Sequence, residues 1–390
     1  MNKLDVSAPP PDLDSGTARK PQSNIVSGTS AAGVRAIGVQ LVTFYFRAPV
    51  KAFFRMRVDY MQMARAVNPG IRTGERWSYR QTTPLLLAHA VKHHGWGFIP
   101  NQVLPPLIAN ISIGAVLYTT YLTALSNLHS PSSQHTKRVY PPPTLTSTFT
   151  AGFAAGTVQS LMAAPLDALS MRFKVSEMLE GQYKSMWAYG RHKLREIGAR
   201  GVFAGYGLSF LKESLGYGVF FAGFEFVKQQ AYFEYITWYY GRRHRHTPGH
   251  EGGDSQIFIR PHYALEPTFL LLAGVTASVS QHLIQHPLSK IQDVHYARLE
   301  SIDYVSKIKD KSVVESYTNA YKRTLSQCSQ QAVKLGGWRR WLYRGFLMGT
   351  LRQVPSTSAG LIVFELVRRR FADAREGVVI EYDNSRILLS

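Results

Sequence analysis

Long windows without charge alternate along this chain with polar, arginine-containing ones. Between Lys92 and Lys137, and again between Arg138 and Asp167, there is no Lys, Arg, Asp or Glu. Windows of that length accommodate membrane spans, each needing roughly 20 mainly apolar residues. Six are read: about 28–57, with its apolar centre at Ile37 to Phe46, then 101–125, 144–175, 205–228, 266–298 and 344–370. Six spans put both termini on one side. The stretch before residue 28 is rich in Pro, Ser and Asp and reads as a disordered tail. Asp5, Asp12 and Asp14 make it a poor transit peptide, so any organelle address is internal.

The spans fall into a repeat. Pro49, Pro165 and Pro287 occupy matching places in the odd spans, where proline removes a backbone hydrogen bond and kinks a helix. In the second unit, Gly205 leads at fixed spacing to Lys212 and then to Glu225; in the third, Gly345, Arg352 and Glu365 keep both intervals. Matched spacings of this kind mark internal duplication, which governs every later reading. Gly152 and Gly156 form a G-x-x-x-G pattern that admits a neighbouring backbone, with Gly274 and Ser278 at the same place in the third unit. The order read is a polar tail at 1–27, repeat 1 at 28–128, a Ser/Pro-rich linker at 129–143 and repeat 2 at 144–240. A flexible basic and histidine-rich loop at 241–262 follows, then repeat 3 at 263–372 and a C-terminal tail at 373–390, which could hold a short strand-like ending.

Charge adds a partner class. Lys and Arg number 45 against 25 Asp and Glu, a formal +20 that seeks anions. No basic helix or recognisable module gathers that charge, so nucleic acid is not the expected partner. Most of the excess lies in the segments inside each repeat, at 51–92, 172–200 and 290–344, which places them on one strongly positive side. A mean hydropathy of −0.13 is low for helices that all face lipid and suits helices around a polar cavity. The single cysteine, Cys328, excludes an internal disulfide framework. His244, His246 and His250 lack a Cys or acidic ligand at metal spacing, so no metal site and no cofactor are expected. No paired carboxylates or nucleophile motif points to an enzyme.

Three tandem units, each a proline-containing helix, an amphipathic connection and a second helix, resemble the mitochondrial carrier family over about 28–370. The resemblance implies an all-α membrane protein: six transmembrane helices in three pseudo-symmetric repeats around a cavity, with short amphipathic helices on the matrix side. The family's proline-x-acid-x-x-base signature survives in part, as Pro165-Leu166-Asp167, with Ser170 in place of the base. Pro49 has Lys51 and Phe54, and Pro287 has Ser289 and Gln292, so none of the three matrix-side ion pairs can form. An aromatic-acid-x-x-base motif, which in the family ends each even helix, is present as Phe224-Glu225-Phe226-Val227-Lys228 and Phe364-Glu365-Leu366-Val367-Arg368. By this register Glu225 pairs with Arg368, whereas Lys228 and Glu365 lack partners because the first repeat offers Tyr121, Leu122 and Leu125.

The same register implies substrate contacts at Lys212, with Glu213 beside it, at Arg352, and at Asn110 beside Ala109 in the first repeat. Charges at mid-membrane depth are costly and mark pathways. Mutual neutralisation of Lys212 and Glu213 is the competing reading. Gly205 and Gly345 match the family's cardiolipin positions, where helix N–H groups meet a lipid phosphate. The expectation is a monomeric carrier, multi-pass in the mitochondrial inner membrane, moving a small anionic or zwitterionic metabolite by alternating access. The alternative is a carrier-fold membrane adaptor that no longer transports, possible in the outer membrane.

Overall fold

The computed structural model describes residues 59–68, 82–133, 139–173, 177–178, 183–245, 256–259, 261–262, 264–306, 313–355, 357–358, 378–382 and 385–389. Pro49 and the first span, and Glu365 and Arg368 near the end of the last, lie outside them.

The first repeat contributes α1 (Gln62–Ala66), α2 (Thr83–His94) and α3 (Leu104–Leu128), the last entered through a π-helical turn at Ile99–Val103. Pro84 at the start of α2, just after the extended Thr82, occupies a position where a missing N–H costs nothing, whereas Pro105 and Pro106 follow directly on that π-helical turn. The second repeat opens with α4 (Leu145–Arg172), capped by Thr144, whose hydroxyl accepts from the Ser147 N–H. It continues through α5 (Met186–Val202) to α6 (Tyr206–Glu225). A π-helical turn at Phe226–Ala231 then leads into α7 (Tyr232–Arg245). The third repeat holds α8 (Leu265–Ser306), α9 (Val313–Lys334), α10 (Trp338–Leu342) and α11 (346–355). Both α4 and α8 run on through their prolines, Pro165 and Pro287.

The long helices pack side by side in chain order, α3 on α4, α4 on α6, and α6 on α8. Small residues set the closest approach. A methyl group on Gly152 would lie 2.5 Å from the Tyr217 carbonyl oxygen, and one on Gly156 2.5 Å from that of Glu213, so α4 and α6 touch backbone to backbone where the G-x-x-x-G pattern placed a partner. Gly274 on α8 meets Ser358 in the same way, at 3.0 Å from its Cα. One apolar cluster joins four of these helices: Leu117, Tyr118, Tyr121, Leu122 and Leu125 from α3, Ala151 and Ala155 from α4, Phe220, Phe221 and Phe224 from α6, and Leu270, Ala273 and Ala277 from α8. The helices inside the repeats are tied down by one face each. On α9, Ala320, Thr324, Cys328 and Ala332 recur at every fourth residue and are all buried, some against α8.

Two helical stretches, Ile99–Leu128 and Leu265–Leu299, are long and apolar enough by length and composition to cross a membrane. Their surfaces are greasy: Leu104, Ile108, Leu271, Leu272 and Leu283 are exposed.

One expectation is extended and one is corrected. Beside the helices, β1 (Gln256–Ile259), β2 (Val378–Tyr382) and β3 (Ser385–Leu389) form a three-stranded sheet in the order β1-β3-β2, β3 running parallel to β1 and antiparallel to β2, so the strand-like ending read for the 373–390 tail is part of a small sheet. Val378, Val379, Ile380 and Ile387 supply the β-branched residues such strands favour. The segment 241–262 is not a continuous flexible loop, because α7 carries Arg242, Arg243, His244 and Arg245, and β1 lies beyond it. No proline interrupts the sequence between Lys228 and Thr247, and a lone Gly241 costs only about 1 kcal/mol, so the helix continues.

Candidate functional site

Lys212 and Glu213 stand two turns into α6, and both are buried. A lysine and a glutamate inside an apolar layer persist only if each is satisfied, since an unpaired buried charge costs several kcal/mol. They satisfy each other in part, with Nζ 3.3 Å from Glu213 Oε1. The rest comes from α8. The Lys212 ammonium donates to Gln292 Oε1 at 2.6 Å, and Gln285 Nε2 donates to Glu213 Oε2 at 3.2 Å. Gln281, Gln285 and Gln292 lie on one stripe of α8, because steps of four and seven residues return to the same helix face.

The polar contacts continue toward Asp167 on α4. Gln292 Nε2 donates to Ser209 Oγ and to Tyr296 Oη, both at 2.6 Å. Ser209 and Tyr296 share a hydrogen bond of 2.8 Å, and Ser209 Oγ donates to Asp167 Oδ2 at 3.4 Å. Donor counting fixes the directions. The single Ser209 proton goes to the carboxylate, so the Tyr296 hydroxyl donates to Ser209, and the two Gln292 amide protons are divided between them. A polarised chain therefore runs from the Lys212 ammonium through Gln292, Tyr296 and Ser209 to the Asp167 carboxylate.

Neither Gln292 nor Tyr296 was singled out as a site residue from the sequence, where Gln292 figured only as the replacement for a base. Helical period was the usable signal. Beyond Pro287, Ser289, Gln292 and Tyr296 are spaced three and four residues apart and so share one face of α8, from which Gln292 and Tyr296 meet α6.

Arg352 sits half-buried on α11, at the place in the third repeat that Lys212 holds in the second. The helix that separates them, α8, also contacts α11: Gln353 Nε2 donates to Gln281 Oε1 at 3.3 Å, and Gly349 packs against the His282 ring. Asn110 is half-buried on α3. Gly205 is the N-cap of α6 and is packed under Tyr296 of α8, whose ring carbon would be 2.6 Å from a methyl group there. Gly345 adopts φ +82°, a conformation that side chains rarely take, with open space around it. Among the described residues no group of His, Cys, Asp and Glu is placed to hold a metal ion.

At the other end of α6, Glu225 and Lys228 lie at the entry to the π-helical turn. Glu225 accepts from Gln229 Nε2 at 2.6 Å and from Lys228 Nζ at 3.5 Å. The expectation that Lys228 has no partner is thus corrected: it turns back on the acid of its own motif, and its ammonium also lies 5.3 Å from the Phe224 ring centre. The two ends of the motif are three residues apart, a helical spacing that sets neighbouring side chains on one face. Where the first repeat offers no acid, it supplies an apolar cap. Tyr121 stacks on Phe221 with ring centres 3.6 Å apart and planes within 7°, and Leu122 and Leu125 are buried beside them. His129, just past α3, bonds Ser132 Oγ through Nδ1 at 2.7 Å. Burial holds its pKa below the usual histidine value, against an opposing pull from the Glu225 carboxylate.

Known proteins share this organisation. The family described as "Mitochondrial carrier protein" matches residues 141–234 and 264–375, a little over half of the chain and the two repeats with the clearer internal spacing. The mitochondrial thiamine pyrophosphate carrier 1 of Pyricularia oryzae is 24% identical over 293 residues, 75% of this chain and 77% of its own. The mitochondrial carnitine/acylcarnitine carrier-like protein of Arabidopsis thaliana is 26% identical over 275 residues, 67% of this chain and 75% of its own. With consecutive packed helices, a proline inside each odd helix of the two matched repeats and this match, the chain belongs to the mitochondrial carrier family.

Proposed function

We propose that the chain is a multi-pass protein of the mitochondrial inner membrane, with six spans in threefold pseudo-symmetry, that moves a small anionic or zwitterionic metabolite by alternating access. The observation that carries the reading is the buried Lys212–Glu213 pair, two turns into α6 and fully engaged with a neighbouring helix, with Arg352 in register on α11. A chain does not bury such charge in a bundle without use for it, because each ion forfeits hydration that the pair only partly restores. Arg352 suits a carboxylate or phosphate, which it can meet bidentately; Glu213 suits an ammonium, and Lys212 a second anionic oxygen. The two relatives are named for a pyrophosphate ester and for a quaternary-ammonium carboxylate with its acyl derivatives, which span the same chemistry. Gly345, with its open surroundings, is the better placed of the two glycines for a lipid phosphate such as that of cardiolipin. The protein is expected to work as a monomer.

The test is reconstitution of folded protein into liposomes, with uptake measured for thiamine pyrophosphate, carnitine, amino acids, keto acids, nucleotides and phosphate. Saturable uptake that Arg352→Ala abolishes without unfolding the protein is expected. Uptake no higher than in empty vesicles across the whole panel would overturn the proposal.

A further inference from the structure

We infer that Gln292 is the residue that couples occupation of Lys212 to opening of the bundle at Asp167, doing through a hydrogen-bonded chain what a direct acid–base pair between α4 and α8 would do. The inference rests on the transport reading above and goes beyond it, because it assigns the coupling to a neutral side chain. Gln292 occupies the position on α8 at which a base would face Asp167. It reaches Asp167 instead through Ser209, and it also holds the Lys212 ammonium. Three helices are thereby joined by one amide: α8 carries Gln292, α6 carries Lys212 and Ser209, and α4 carries Asp167.

The amide suits this role for a physical reason. Gln292 Oε1 lies 2.6 Å from the Lys212 ammonium, so a base in place of Gln292 would set two cations side by side, and like charges repel. Glutamine accepts from the lysine with its oxygen and donates onward with its nitrogen, so it transmits polarity without adding charge. When an anionic group claims Lys212, Gln292 Oε1 loses its charged donor. The onward bonds to Ser209 and Tyr296 lose the polarisation that strengthened them. The hold on Asp167 weakens at the moment the site fills. An empty site keeps the chain intact and α4, α6 and α8 together.

Two substitutions at Gln292, one apolar and one that keeps its shape, should therefore act in the same direction. Gln292→Leu removes the chain and should raise the rate at which a maleimide labels a cysteine placed at Ser289, which is buried on α8 three residues before Gln292. A rise of about tenfold or more is expected, the scale of losing one hydrogen bond to a charged group. Gln292→Glu keeps an acceptor for Lys212 but, as a carboxylate, donates nothing to Ser209 or Tyr296, so it breaks the chain to Asp167 and should raise labelling as well. Tyr296→Phe, which deletes one hydroxyl, should give an intermediate rise and serves if Gln292→Leu does not fold. Gln353→Leu removes a similar amide contact, on α11 to Gln281, and should leave the rate unchanged. Cys328 is fully buried and is replaced by Ala throughout. Equal labelling rates in wild type, Tyr296→Phe and Gln292→Glu would overturn the coupling. Labelling needs no transported solute, so absence of uptake in liposomes would sink the transport reading separately.

Discussion

Gly156 of α4 lies directly on the backbone of Glu213 in α6, close enough that a methyl group would stand 2.5 Å from the Glu213 carbonyl oxygen and 2.8 Å from the Ser214 Cα. The residue that bears the buried acid is therefore held by main-chain contact with a neighbouring helix, not by its side chain alone. Gly156→Ala should destabilise the bundle by about 1–3 kcal/mol through overpacking, because backbone cannot move aside as a side chain can. Thermal unfolding in detergent reports it, and Gly190→Ala, which meets only a leucine side chain at 3.6 Å, serves as the comparison with little change.

The Lys212–Glu213 pair makes a prediction about charge. Lys212→Met removes the cation opposite a buried carboxylate and should cost about 3–5 kcal/mol of stability. Lys212→Met combined with Glu213→Gln should recover most of that loss, because no charge is then stranded. Transport should be lost in both. Recovery of uptake along with stability in the double variant would show the pair to be purely structural.

The stacked rings of Tyr121 and Phe221 close the bundle where an acid is missing from the first repeat. Phe221→Ala should cost about 3–5 kcal/mol and open a cavity among Tyr118, Tyr121 and Phe224. Phe221→Leu should cost less, and a liposome leak assay should show solute passage in the Ala variant that the Leu variant lacks.

His129 predicts a pH dependence with a definite sign. Burial lowers its pKa from the ordinary 6.5, so the folded protein binds a proton there less readily than the unfolded chain. The stability it contributes is present above pH 6.5 and is lost as pH falls through that value and below. Unfolding midpoints measured from pH 8 down to pH 5 should therefore fall more steeply in the wild type than in His129→Gln. Parallel curves would remove His129 from the account.

Much of the architecture was legible because it depends on local or periodic properties. Charge-free windows marked long helices such as α3 and α4, and the duplicated Gly–Lys/Arg–Glu intervals put Lys212 and Arg352 in register. The spacing of Gly152 and Gly156 announced a close helix contact. Other features depended on which helix lies next to which. Gln292 reads in the chain as a missing base, and only the approach of α8 to α6 turns it into the partner of Lys212.

The sequence by itself determined the repeat, the apolar helices and the few charges placed among them, because hydropathy and spacing are written residue by residue. Tertiary structure alone decided how those charges are satisfied. A buried ion is satisfied by whatever hydrogen-bonding partner a neighbouring helix happens to bring within 3 Å, and that partner, the accepting Gln292 oxygen, lies 80 residues away from Lys212.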